Sequence, residues 1–172
     1  MTDGRISLSE LRMALPVEWP EDPRAEIPRV SYLYRAVDKR GQTVDFYLSP
    51  KRDVNAAKAF LRKAMKNQRV PTKITLDAYA ASHRAVADLK ESGELPQRVK
   101  VRSCKYLNNI VEQDHRRVKQ RLSPMLGLKS FGNTAVVIGG IELAGQIKKG
   151  QFVRLGGRTA RMPEIWQVAL AA

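Results

Sequence analysis

The sequence predicts an α/β domain built on a mixed sheet, and two observations carry that expectation. From Ser31 onward, β-type and helical runs alternate in the order strand, strand, helix, strand, helix, strand, helix, which stacks helices against a sheet. The chain has 172 residues, 43% of them hydrophobic and 28% charged. That composition can fill one buried core, since a single core organises about 100 to 200 residues, and it argues against wholesale disorder.

The elements follow in order. Residues 1–30 hold four of the nine prolines, Pro16, Pro20, Pro23 and Pro28. Proline in a helix interior removes a hydrogen bond and clashes with the preceding turn, so this stretch admits at most a short helix near Leu8 to Leu15. It reads as an extension with little structure of its own. SYLYRAVD and TVDFYLS, separated by Lys39-Arg40-Gly41-Gln42, then form an antiparallel hairpin. From Asp53, a plausible N-cap, Ala56, Ala57, Phe60, Leu61, Ala64 and Met65 recur at helical spacing to about Asn67. Lys73 to Asp77 is a short strand, and a helix from about Tyr79 to Lys90 follows it. A brief strand at Val99 to Arg102 leads into a long helix from about Lys105 to Leu122, stopped by Pro124. A glycine-weakened apolar helix spans about Thr134 to Lys149. Residues 153–172 form a basic tail in which Trp166 is expected to anchor a last short helix.

Charge narrows the function. Lys and Arg number 31 against 17 Asp and Glu, a net of +14. A surplus of that size favours a polyanionic partner, because each cation set against a phosphate releases condensed counterions. The surplus is also uneven. Residues 1–28 carry six acids and three arginines, so the remainder is more basic still. The single cysteine, Cys104, excludes an internal disulfide or a multi-thiolate metal site and reads as a small buried hydrophobe. The longest apolar stretch, Ala135 to Ile147, is broken by glycines, Glu142 and Gln146, and is too short for a membrane span. The amino end lacks the pattern of a secretory signal. A cytoplasmic, nucleoid-associated protein without membrane contact is the expectation.

Two carboxylates stand out. Asp77 ends a strand, where folds often present functional groups, although taken alone it reads first as a helix cap, since Asp before Ala78-Tyr79-Ala80-Ala81 is a good one. Glu112 shares one helix face with Asn108, His115 and Lys119, at spacings of four, three and four residues. Between Arg98 and Arg121 there are eight basic residues, opposed only by Glu112 and Asp114. Such surroundings keep a carboxylate ionised and suit a Mg²⁺ ligand beside a phosphate backbone. Two-metal phosphoryl transfer holds ions about 3.5 to 4 Å apart between such groups. An ordinary pair of Glu112 with Arg116 at i+4 is the competing reading. His115 and His83 have no convincing Ser or Cys nucleophile beside them, and Gly156-Gly157 lacks the setting of a phosphate loop. The Tyr32, Tyr34, Phe46 and Tyr47 cluster reads as hairpin core rather than as a base-stacking platform.

The blocks YLYRAVD, DFYLSPKRD, KITLDAYAASHRAV, KVRSCKYLNNIVEQDHRRVKQRLSPMLGLKSF and GGIELAGQIKKGQF, covering about residues 31–152, resemble the catalytic domain of bacterial insertion-sequence transposases. The resemblance is to the insertion-sequence-six family, within the DDE superfamily that also contains retroviral integrases. It implies a ribonuclease-H-like, integrase-like mixed sheet with flanking helices. It implies strand cleavage and joining at transposon ends with Mg²⁺ (or Mn²⁺), double-stranded DNA as partner, and a homodimer or higher assembly on that DNA. By the same resemblance Asp77 and Glu112 are catalytic, metal-holding carboxylates, and Lys119 contacts the terminal DNA. Lys105, Asn108, Asn109, Arg116, Arg117 and Arg121 belong to the DNA-binding surroundings.

One departure matters. The family's first catalytic Asp lies on a strand about a dozen residues before YLYRAVD, in a Trp-x-Val-Asp-Glu-Thr-Tyr motif. Here that position falls near Pro20, where Glu21 and Asp22 are flanked by prolines. The fold is therefore expected to lack its first strand, and the chain to be an amino-terminally truncated, catalytically impaired copy. A non-catalytic basic DNA-binding remnant is the alternative, and a basic ribosome-associated protein preferring RNA is a third reading.

Overall fold

The computed structural model describes residues 10–13, 17–20, 30–66, 70–104, 116, 118, 120–121, 131–151, 163–164 and 166–167. The hairpin is as the alternation requires: β3 (Val30–Asp38) and β4 (Thr43–Ser49) pair antiparallel, with Tyr34 opposite Tyr47. The turn closes on Asp38, whose Oδ1 accepts from the backbone N–H groups of Arg40 and Gln42 at 2.8 and 2.9 Å. Gly41 sits at φ 77°, the left-handed conformation that glycine adopts at no steric cost. Helix α1 (Val54–Lys66) begins on the expected cap, with Asp53 Oδ1 accepting from the Ala56 N–H at 2.8 Å. Strand β5 (Lys73–Leu76), helix α2 (Ala80–Glu91), strand β6 (Lys100–Ser103) and helix α3 (Phe131–Lys148) complete the described body.

The front of the chain corrects two expectations. Glu10–Met13 is a strand, β1, and Val17–Pro20 is a second, β2, so neither a short helix nor a structureless extension holds for these residues. Nor is the sheet without a first strand. β1 pairs antiparallel with β3 (Met13 opposite Ala36) and parallel with β5 (Met13 opposite Leu76), so it lies in the middle of the sheet. β2 lies on the same edge of β3, opposite Val30 to Leu33, while β4 holds the other edge. The physical reason is that proline forbids helix interiors but not strand ends. Pro20 terminates β2 on a pairing with β3 alone, where a missing N–H costs little.

The sheet has six strands and is mixed, as a ribonuclease-H-like fold requires. Period-two alternation sends its two faces to different cores. On one face Leu11, Met13, Tyr34, Ile74 and Leu76 pack against Ala57, Phe60 and Leu61 of α1 and Val86 and Leu89 of α2. On the other, Leu33, Leu48 and Phe46 meet Ile138 of α3 and the helical residue Val118. The aromatic cluster is thus hairpin core, as expected, divided between the two faces. Cys104 is half-buried rather than buried, and Trp166 keeps 36% of its surface exposed. No described helix is long and apolar enough to cross a membrane.

An ion pair ties α3 to the sheet. Arg35 Nη2 donates to Glu142 Oε2 at 2.8 Å, with both side chains at least 96% buried. The chain after α3 straps the hairpin turn, where Lys149 Nζ donates to the Gly41 carbonyl and Gln151 brackets the Thr43 backbone. Removing one partner of a buried pair leaves the other charge uncompensated, so Glu142→Ala should cost about 3–5 kcal/mol. Chemical denaturation checks this, and the double variant Arg35→Leu with Glu142→Leu should recover most of the loss.

Candidate functional site

Asp77 follows the last residue of β5 and is 97% buried. Two readings of it stood side by side, and the geometry separates them. The N-cap of α2 is Tyr79, whose side chain makes no capping bond. Asp77 Oδ1 accepts from the backbone N–H of that cap residue at 3.1 Å, a local turn two residues ahead of the helix. Asp77 is therefore not the helix cap but a carboxylate held at the strand end. His83 Nε2 lies 2.8 Å from the Asp77 carbonyl oxygen and donates to it in the tautomer that carries a proton there, which fixes the strand end to α2.

The strand beside Asp77 is β1, and its pairing decides which residues share the carboxylate's face. Glu10 stands opposite Lys73 and Arg12 opposite Thr75. Side chains two apart share a face, so Glu10 and Arg12 lie with Lys73 and Thr75 on the side to which Asp77 continues. Contacts agree with the register: Thr75 Oγ1 donates to Glu10 Oε1 at 2.7 Å, and Arg12 Nη2 and Lys73 Nζ lie 3.5 and 3.4 Å from Glu10 Oε2. At about 3.3 Å per residue in parallel strands, Glu10 is about 13 Å short of the level of Asp77 and Arg12 about 7 Å. The described part of the first strand thus places Arg12 on the face of Asp77 with its guanidinium beside Glu10, and its one carboxylate is engaged there.

That arrangement bears on the divalent ion implied by the resemblance. Among the described residues no group of three or more His, Cys, Asp and Glu side chains could hold a metal ion. Asp77 supplies one suitable oxygen donor group, while the neighbouring strand supplies a cation. Glu112, the other carboxylate that the resemblance implies, lies outside the described residues. The resemblance puts the first acid near Pro20, but the register puts the strand level with β5 at Glu10 to Met13. Glu21 and Asp22 lie outside the described residues.

Of the other sequence-derived residues, Arg116 and Arg121 are exposed, and Val118 between them faces the core. Lys105, Asn108, Asn109, Glu112, His115, Arg117 and Lys119 lie outside the described residues. Arg121, with Arg35, Thr43, Glu142 and Lys149, lines a small cavity between β3 and α3. Sequence reasoning missed the cluster of Glu10, Arg12, Thr75 and Lys73. Its signal was the polar–apolar alternation of Glu10-Leu11-Arg12-Met13.

Glu10 has a perturbed acidity. Burial alone would raise its pKa, but the Thr75 hydrogen bond and the charges of Arg12 and Lys73 outweigh burial and hold the carboxyl below its ordinary value of 4.5. A carboxyl lowered in the folded state contributes stability above its unfolded pKa, and that contribution is lost as pH falls through the folded value. Glu10→Gln should therefore lower stability at neutral pH and flatten its decline below about pH 4.5. Urea midpoints measured between about pH 6 and pH 3 check this. An unchanged slope in the variant would contradict the network.

Comparison with known proteins agrees with this geometry. Residues 28–151 match the DDE domain of IS240-type transposases. The chain is 37% identical over 104 residues to the transposase for insertion sequence-like element IS431mec of Staphylococcus aureus, over 60% of this chain and 46% of that one. The same identity and coverage hold for the transposase of insertion sequence element IS257 in transposon Tn4003. The chain thus spans about half the length of the curated relatives it matches. In structure it is similar to the catalytic core domain of BIV integrase, with a TM-score of 0.54 and 14% identity over 96% of this chain and 95% of that one. A chain of the simian T-cell lymphotropic virus intasome in complex with PP2A regulatory subunit B56 gamma gives the same TM-score at 13% identity, covering 79% and 49%. The ribonuclease-H-like fold of retroviral integrase cores is shared.

Proposed function

The chain belongs to the IS240-type DDE transposase family, and we infer that it is the core of an insertion-sequence transposase that acts on double-stranded DNA at transposon ends. The observation that carries this is the family match over residues 28–151 together with a buried Asp at the end of β5, beside the central first strand. In this reading Asp77 and Glu112 are the retained catalytic carboxylates and would be the ligands of Mg²⁺ or Mn²⁺. Lys119 contacts the terminal DNA, and Lys105, Asn108, Asn109, Arg116, Arg117 and Arg121 line the DNA beside it. A bound divalent ion would supply charge stabilisation at the reacting phosphate. Self-association into a homodimer or larger assembly on paired ends, at the nucleoid in the cytoplasm, follows from the same reading.

This chain's strand cleavage and transfer are impaired. The first strand supports that conclusion, because the one carboxylate among its described residues, Glu10, is engaged by Thr75, Arg12 and Lys73. DNA binding is what the reading leaves intact, which favours the non-catalytic alternative for present-day activity. The test uses labelled duplex carrying the sequences that flank the coding region, incubated with purified protein in MgCl₂ or MnCl₂. Salt-sensitive binding without cleavage is expected. Cleavage that disappears in Asp77→Asn and Glu112→Gln would show an intact enzyme, and absence of any duplex binding would remove the transposase reading.

A further inference from the structure

The sheet face that carries Asp77 is divided. Toward β4 it is apolar and covered, with Leu33, Phe46 and Leu48 packed beneath α3. Toward β6 it changes character. The registers align Arg12 with Thr75 and Arg102, and Glu10 with Lys73 and Lys100, so three adjacent strands present four cations and one carboxylate on one face. Exposure rises along the row: the Arg12 side chain is 13% accessible, that of Lys73 35%, and every residue of β6 is exposed.

Three features show that part of this row is left uncompensated by the fold. Lys73 and Lys100 stand directly opposite each other on neighbouring strands, and like charges so placed destabilise a sheet. Lys73 shares Glu10 with Arg12, whereas Lys100 and Arg102 have no ion-pair partner among the described residues. Arg12 Nε, at the inner end, is buried without a hydrogen-bond partner among the described residues. A polyanion laid along the exposed outer part, Lys73, Lys100 and Arg102, would relieve the first two of these costs. Lys100 and Arg102 are about 7 Å apart along the strand, and β5 and β6 about 4.8 Å apart, so Lys73, Lys100 and Arg102 form a compact cationic patch.

We propose that the exposed outer part of this face, Lys73 of β5 together with β6, is a docking surface for the phosphate backbone of duplex DNA, with Lys100 and Arg102 as its sequence-independent contacts. The proposal rests on the DNA-acting reading above but concerns a surface that reading does not use. Backbone contacts position a duplex and do not read its sequence, so these residues set affinity and approach rather than end recognition.

Fluorescence anisotropy of a labelled duplex of arbitrary sequence, titrated with the full chain in EDTA over a series of NaCl concentrations, tests it without metal chemistry. Lys100→Ala and Arg102→Ala should each reduce the slope of log affinity against log salt by about one, and the double variant by about two. Lys66→Ala, at the exposed end of α1 on the opposite face, should leave it unchanged. Lys100→Gln with Arg102→Gln, checked by circular dichroism, repeats the test should the alanine pair fail to fold. A wild-type slope in the folded double variant, an equal loss in Lys66→Ala, or poly-glutamate competing as well as duplex would each overturn the surface while leaving the transposase reading standing. Failure of wild-type protein to bind any duplex would end both.

Discussion

The fold and the site both depend on the pairing of β1 between β3 and β5. Four residues, Glu10 to Met13, are held from both sides, antiparallel on one edge and parallel on the other. Because the side-chain period of a strand is two, that register decides everything around it. It sends Leu11 and Met13 into the α1–α2 core and brings Glu10 and Arg12 to the face shared with Thr75. A slip of one residue would bury two charged side chains among Tyr34, Phe60 and Leu76 and strand two apolar ones beside Asp77.

The hairpin, α1, β5 and α2 were legible in the sequence because each has a local signature. The hairpin has its aromatic alternation and a glycine that takes a positive φ, α1 has its Asp53 cap, and β5 has a β-branched run ending in an acid. β1 was not read, although its alternation is regular, because four residues are too few to distinguish a strand from a helix turn and the prolines that follow weighed against order. What makes Glu10 to Met13 a strand is distant in sequence: the open edges of Val30–Asp38 and Lys73–Leu76. Asp77 was recognisable from its position, but that it is not a helix cap could be seen only once Tyr79 was found to occupy the cap.

The same register explains why the face is electrostatically lopsided. β3 and β4 present mainly apolar residues to α3, and the charge among them, Arg35, is neutralised there by Glu142. β1, β5 and β6 have polar and basic residues at the equivalent positions, with Glu10 as the counter-charge. A first strand carrying an acid near Asp77 would lower the potential there and draw a divalent ion. With Arg12 in that strand the potential is already positive, which disfavours a cation and favours an anion such as a phosphate. On the proposed reading, catalytic impairment and a persisting affinity for nucleic acid would thus both follow from one strand.

The most direct measurement is Mn²⁺ titration, by calorimetry or electron paramagnetic resonance, into the wild-type chain, Arg12→Asp, and Arg12→Asp combined with Asp77→Asn. If β1 brings residue 12 to the face of Asp77, wild type should bind the ion weakly. Arg12→Asp should then bind it at least tenfold more tightly, with the gain abolished by the second substitution. Tight binding by wild type that Arg12→Asp does not improve would contradict the account.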